Sequence, residues 1–338
     1  MNFYFILEEL NDTCPTAVND QHTCVVFAQG LKTKNINYNG NINFLQYWKS
    51  DEYLINKLDI KDTNENTIYI CAVPHKFSLE IQSIVKLGRK LIIFDTSDEW
   101  CKNNYIPFMK IANYYFKSSY SSNNNNNCKP YAFSLSDRII NVGKTTDMSM
   151  LPWQNRKNVI LEAHRVTNHS IRNYVKSYYN SGKCNLSIEY FNDNFKEPSR
   201  DTEEYFHWCQ TGRRHSLDYY EKLKSSKMID SHGGYFRLNN NTKNLEIIQI
   251  DSWKLWEGFA MGCLVIAPDF DYYNIKLPYK LIGLKHYIPI RYDIINECYD
   301  IIHKLSDLQK YTIAKTGREF VLDKYCPNSI SQYVLDNI

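Results

Sequence analysis

The sequence has no apolar run near the roughly 18 residues that a membrane-crossing helix needs, so no such helix is expected. Its start, MNFYFILEE, meets carboxylates after a few apolar residues and lacks a basic lead, so it reads as a first strand rather than a secretion signal. Neither sign of charge dominates. Forty Lys and Arg stand against 37 Asp and Glu, a formal +3, which does not suggest a polyanion-wrapping protein, although a local basic cleft stays open. The ten cysteines, scattered from Cys14 to Cys326, include no CxxC pair and no regular spacing. That argues against a zinc site and a secreted disulfide framework and fits a reducing compartment, with the cytoplasm as the expected location and membrane-peripheral placement still open. Glycine is used sparingly, 12 residues in all, and no repeat of fixed period is visible.

What is present is enough apolar material for two cores: 43% hydrophobic and 14% aromatic residues, with 27 Tyr and 16 Phe. A length of 338 residues suits two domains of about 150 each. Short β-rich runs alternate with longer amphipathic stretches, the pattern of parallel strands joined by crossover helices. Residues 67–73, 77–87 and 90–94 make one βαβ unit; 107–116 reads as a helix or as a helix passing into a strand, and 118–129, with its run of five Asn, as a surface loop. The junction is expected within 143–154. Beyond it, strands are expected at 158–163, 184–191, 227–231, 263–267 and 287–291, and helices at 169–179, 217–223, 252–261, 294–305 and 307–322. Ser170 is the expected cap of the first of these helices. The simplest architecture is α/β, with an open parallel sheet in each half.

Ligands of open α/β sheets bind at the carboxyl ends of strands, near helix N-termini whose N–H groups and dipole favour anions. Three spots in the second half qualify. Ala163, His164 and Arg165 follow one strand, with Arg172 on the next helix; guanidinium donors match phosphate oxygens. Ser231, His232, Gly233 and Gly234 follow another, and paired glycines let backbone approach a ligand closely. The third is 251–268, DSWKLWEGFAMGCLVIAP, where Asp251 and Ser252 open a helix and a glycine turns it into a buried strand. Lys254 and Glu257, three apart, share a helix face; they suit either a surface ion pair or a donor site in which the carboxylate accepts ribose hydroxyls and the ammonium meets a diphosphate.

Residues 251–268 resemble the donor-site signature of GT-B-fold glycosyltransferases, in particular the exostosin-like group with a D-T-x-R-x-W-E-A-x-A-x-G-C pattern. Segments 219–234, 286–290 and 317–320 resemble further stretches of that group in order, as do FDTSD at 94–98, YYFK at 114–117 and KPYAF at 129–133. The resemblance touches about two-thirds of the chain and none of the first 65 residues. It implies a GT-B architecture, two Rossmann-like domains with a cleft between them: 1–145 for the acceptor, 155–320 for a nucleotide-sugar donor, and a tail at 321–338 packing back on the first. It implies transfer of a sugar from a nucleoside diphosphate to a hydroxyl of a glycan, lipid-linked or protein acceptor, with no cofactor and no metal. Glu257 would hold the ribose, Lys254 stands where the group has Arg, and Gly233 and Gly234 would frame the phosphates beside Ser231, His232, Asp251 and Ser252. Arg165 and Arg172 are phosphate candidates by position alone. Lys254 lacks the bidentate fork of Arg, and Gln249 occupies the position where many retaining enzymes carry Glu, so stereochemistry is left unassigned.

An inverting reaction needs a base in the first domain. Asp98, with Asp95 and Glu99 beside it, follows a strand end and is the candidate, against helix capping as the plainer duty; His75 also ends a strand. Asp269 and Asp271 spell a D-x-D metal pattern but sit where GT-B proteins have an acidic loop, so no metal is assigned. Residues 207–209 and 213–215 lack ligand spacing. The rival readings are a nucleotide-sugar epimerase, a DNA-modifying glycosyltransferase, and a catalytically silent GT-B-like protein that binds a glycan or a partner.

Overall fold

The computed structural model describes residues 1–9, 15–45, 52–97, 105–121, 128–145, 152–164, 169–191, 198–199, 202–205, 217–238, 245–248 and 250–338. Asp98, Glu99, Arg165, Gln249 and residues 207–209 and 213–215 lie outside them. The chain divides into two compact units. One comprises Met1–Asp137, Phe195–Arg214 and Cys326–Ile338; the other comprises Arg138–Asn194 and His215–Tyr325.

The first unit is built on strands β1 (Asn2–Ile6), β2 (Tyr38–Gly40), β3 (Thr67–Cys71), β4 (Lys90–Asp95), β5 (Tyr114–Lys117) and β6 (Cys128–Pro130). They form one sheet in the order β2-β1-β3-β4-β5-β6, parallel throughout. Such strands are covered on both faces and therefore read as unbroken apolar runs; all five residues of β3 are buried. Helices α1 (Pro15–Thr33), α2 (Ser78–Lys86) and α3 (Ile106–Ile111) make the crossovers. One layer of the core is aromatic, with Phe94 stacked on Tyr131 at 4.7 Å and edge-on to Phe27 and Phe116. The final helix, Pro327–Leu335, packs along α1 and is tied to the unit by Tyr333, whose hydroxyl donates to the Pro130 carbonyl at 2.9 Å.

The second unit opens with helix α4 (Asp137–Thr145), most of which belongs to it, and carries β7 (Lys157–Glu162), α5 (Ser170–Asn180), β8 (Ile188–Tyr190), α6 (Leu217–Ser225) and β9 (Ser226–Asp230). A small antiparallel hairpin, β10 (Phe236–Leu238) with β11 (Leu245–Ile247), follows. Then come α7 (Trp253–Ala260), β12 (Leu264–Pro268), β13 (Ile288–Ile290), α8 (Ile295–Lys304) and α9 (Asp307–Lys324). The sheet order is β8-β7-β9-β12-β13, again all parallel. The chain leaves β7 for one edge and then returns on its other side as β9, so β7 and β9 flank a topological switch point, where open α/β sheets bind ligands.

Two glycines place α7 against this sheet. Gly262 turns the helix into β12 with φ +75°, a conformation that strains any other residue. A Cβ on Gly258 would lie 2.7 Å from Ile229 Cγ2, so α7 packs more closely on β9 than alanine allows. One expectation is corrected: Ser170 is the first residue of α5 rather than its cap. His169 precedes it, and the Ser170 hydroxyl accepts from Phe236 N at 2.9 Å, tying α5 to the hairpin. No helix among the described residues is long and apolar enough to cross a membrane.

Candidate functional site

The carboxyl ends of β7 and β9 deliver Glu162, His164, Asp230, Ser231 and His232 to the switch point, and the start of α7 brings Ser252 and Lys254 beside them. Lys254 Nζ lies 2.6 Å from His164 Nδ1. An ammonium only donates, so Nδ1 accepts and the ring proton sits on Nε2; that nitrogen is 3.2 Å from Asp230 Oδ1, close but out of line for a straight hydrogen bond. Asp230 has no exposed surface. Its Oδ2 accepts from the Tyr179 hydroxyl at 3.2 Å, while Ser231 and Ser252 meet hydroxyl to hydroxyl at 3.1 Å and join the β9 end to the α7 start.

The electrostatics follow from burial and from the crowding of charge. Burial pushes His164 down to about 3, with Lys254 and Arg172 adding to the shift against Asp230. Burial, Lys254 and Arg172 likewise hold His232 down at about 4, so both rings are neutral near pH 7. Burial works to raise Asp230, but His164, His232 and Lys254 outweigh it and keep the carboxyl below its ordinary value. Its neighbour Glu162 goes the other way: burial and the Asp230 charge raise it against Lys254 and Lys176. Ser252, Lys254 and Arg172 are half-buried, and the two cations make their surroundings attractive to an anion. Ser231, His232, Gly233 and Gly234 are buried, so that loop supplies backbone and support.

Two residues of the expected donor set have other engagements. Asp251 accepts from Trp256 Nε1 at 2.6 Å, which pins the first turn of α7. Glu257 is fully buried one turn further along; its Oε1 accepts from the Tyr220 hydroxyl at 3.0 Å, and Tyr220 in turn takes Arg138 Nη1 at 3.3 Å. Burial lifts Glu257 to about 7 despite Arg138 and the Tyr219 and Tyr220 hydroxyls. Lys254 and Glu257, expected on one helix face, are thus held by different partners. Glu257 has no exposed surface in this arrangement.

In the first unit, Asp95 ends β4 buried and engaged. Lys117 Nζ, itself without exposed surface, lies 3.4 Å from Asp95 Oδ1; Ser97 N donates to that oxygen at 2.8 Å, and the Tyr115 hydroxyl donates to Oδ2. Lys117 also donates to the Ser97 carbonyl. Asp95 therefore anchors the backbone leading to residue 98. His75 lies in a short 3-10 turn, its ring 5.7 Å from that of Tyr105. In the D-x-D stretch, Asp269 Oδ1 accepts from Asp271 N and Tyr272 N, and Asp271 pairs with Lys280 at 2.8 Å, so the two carboxylates serve a turn and an ion pair.

Sequence reasoning passed over Asp230, Tyr179, Tyr292 and Tyr299, and used His164 only as a place marker. Asp230 carried a readable signal, a carboxylate at a strand end just before a glycine pair; the tyrosines, all more than fifty residues from it in the chain, carried none.

No protein-family model matches the chain, and no curated protein sequence does. Solved structures do match over nearly its whole length. An alpha-glucosyltransferase in complex with UDP and a 13-mer DNA containing a central A:G mismatch is 11% identical, covering 99% of this chain and 98% of its own, with TM-score 0.58. Anabaena Alr3699/HepE in complex with UDP is 9% identical over 99% of both chains, TM-score 0.53. The E. coli trehalose-6-phosphate protein bound with UDP-2-fluoro glucose is 8% identical over 100% and 99%, TM-score 0.52. The chain has the α/β GT-B fold that these proteins share.

Proposed function

We propose that this protein is a glycosyltransferase that takes a sugar from a nucleoside diphosphate and passes it to a hydroxyl acceptor, the second unit holding the donor. The observation that carries the reading is the Lys254 ammonium fixed at the β7/β9 switch point beside the N-terminus of α7. The GT-B neighbours that carry UDP or a UDP-sugar support it. Lys254, Arg172 and Arg165, with the first N–H groups of α7, would meet the charge that develops on the departing diphosphate. Gly233 and Gly234 would pass close to the phosphates, and Glu257 would reach the ribose once its enclosing tyrosines shift. The likeness of 251–268 to the exostosin-like donor stretch points to the same segment. Asp98 is the proposed base, with Asp95 holding the backbone ahead of it rather than exchanging a proton.

The charge balance bears on the acceptor. The first unit has 17 Lys and Arg against 19 Asp and Glu, and the second 23 against 18, so the basic excess lies with the unit assigned to the donor. A DNA acceptor calls for a basic first unit, and the reading adopted here is a glycan, lipid-linked or protein hydroxyl. The test is a thermal-shift screen with UDP, GDP, TDP and CMP, followed by turnover of sugar donors carrying whichever base stabilises the protein. A shift with one base and release of its nucleotide from a sugar donor are expected. A shift without turnover would establish a silent binding protein instead.

A further inference from the structure

Two arms converge on Asp230. The first is the hydrogen bond from Lys254 to His164 Nδ1, with His164 Nε2 in close contact with Asp230 Oδ1 at 3.2 Å but out of line for a hydrogen bond. The second begins at Oδ2, which takes the Tyr179 hydroxyl; Tyr179 lies 2.6 Å from the Tyr299 hydroxyl, Tyr299 lies 3.2 Å from His232 Nε2, and His232 Nδ1 lies 3.1 Å from the Tyr292 hydroxyl. An ionised carboxylate only accepts, and this sets every direction outward from it. Tyr179 has spent its proton on Asp230 and so receives from Tyr299, Tyr299 receives from His232 Nε2–H, and His232 Nδ1 receives from Tyr292. One buried charge thereby orders the His232 tautomer and three phenols, while Lys254 sets the tautomer of His164.

The arms lead to two parts of the expected donor site. Lysine lacks the planar fork by which arginine fixes itself on a phosphate. Held by His164, the Lys254 side chain loses rotamer freedom that would otherwise oppose binding. The other arm anchors His232, in the middle of the 231–234 loop. We infer that Asp230 is the positioning residue of the donor site, fixing Lys254 through His164 for a diphosphate and fixing the 231–234 loop through Tyr179, Tyr299, His232 and Tyr292. This rests on the nucleotide-sugar reading above.

The test titrates UDP and UMP calorimetrically into the full-length wild type and into Asp230→Asn, His164→Phe and His164→Gln, with near-ultraviolet circular dichroism to check folding. Glutamine can accept from Lys254 through Oε1 and donate to Asp230 through Nε2, so it restores both links that phenylalanine removes. His164→Phe should weaken UDP on the order of tenfold while UMP, which lacks the second phosphate, changes by about twofold or less. His164→Gln should bind UDP within about threefold of wild type, and Asp230→Asn should lose at least as much as His164→Phe. If Asp230→Asn does not fold, the two His164 variants carry the test. Wild-type UDP affinity in His164→Phe, equal loss of UDP and UMP, or His164→Gln behaving no better than His164→Phe overturns the inference and leaves the donor reading standing. A wild type that binds none of UDP, GDP, TDP and CMP overturns the donor reading and this inference with it.

Discussion

Glu257 shares its enclosure with the Tyr220 hydroxyl and with Arg138 behind it, and burial lifts its carboxyl from an ordinary 4.5 to about 7. A carboxyl whose folded value lies above its unfolded one binds more protons folded than unfolded across that interval, so its contribution to stability falls as pH rises through it. Melting curves of wild type and Glu257→Gln from pH 4.5 to 8 should show the wild type losing ground, by about 3 kcal/mol across the full window; curves that stay parallel would contradict the assignment. His164 and His232 act in the opposite sense: held neutral below an ordinary 6.5, they cost the fold stability as pH falls beneath that value. At the Asp95–Lys117 pair the issue is charge left alone. Lys117→Met strands a buried carboxylate and should cost about 3–5 kcal/mol, measured as a lowered denaturation midpoint. Adding Asp95→Asn removes the stranded charge and should recover part of the loss. If the double variant is no more stable than the single one, the pair is not what matters there.

The element that sets the site is α7, since its first turn presents Lys254 and its flank rests on β9. The gap at Gly258 leaves no room for a methyl group against Ile229. Gly258→Ala should therefore lower stability by about 1 kcal/mol net, overpacking outweighing the helix-propensity gain of similar size; a raised melting temperature would show that the helix can retreat without penalty. Much at this scale was legible from the chain alone. The helix at 252–261, its glycine turn and the buried strand after it were visible in a run of apolar residues closed by Gly262 and Pro268, and they form α7 and β12. The Ser170 cap was misplaced because a serine before a helix fits an N-cap and a first-turn position equally well, and the hairpin that claims its hydroxyl is distant in sequence. The same separation hid the Asp230 network. His164, Tyr179, Asp230, Tyr299 and Lys254 come from five elements or their ends, and no local spacing relates them. Nor could spacing distinguish a Glu257 facing a ligand from one enclosed by Tyr220, whose helix is 37 residues away.

Across the whole molecule, a near-balance of charge conceals an unequal division, with the basic excess in the second unit and a slight acidic excess in the first. Association with duplex DNA needs several cation–phosphate contacts and falls steeply with salt. Filter binding with labelled duplex should accordingly retain no DNA even in dilute buffer; retention lost as salt is added would bring the DNA acceptor back. An open α/β sheet binds ligands at the carboxyl ends of the strands that flank its switch point, here β7 and β9, and the cations found there are the core of the functional reading. Its most direct test is a calorimetric titration of UDP into wild type and Lys254→Ala, repeated with GDP or TDP should UDP give no heat. The account predicts saturable binding by the wild type, weakened at least about tenfold in a variant that melts as the wild type does. Equal affinity in the two proteins would contradict it, because the diphosphate would then be held somewhere other than at Lys254.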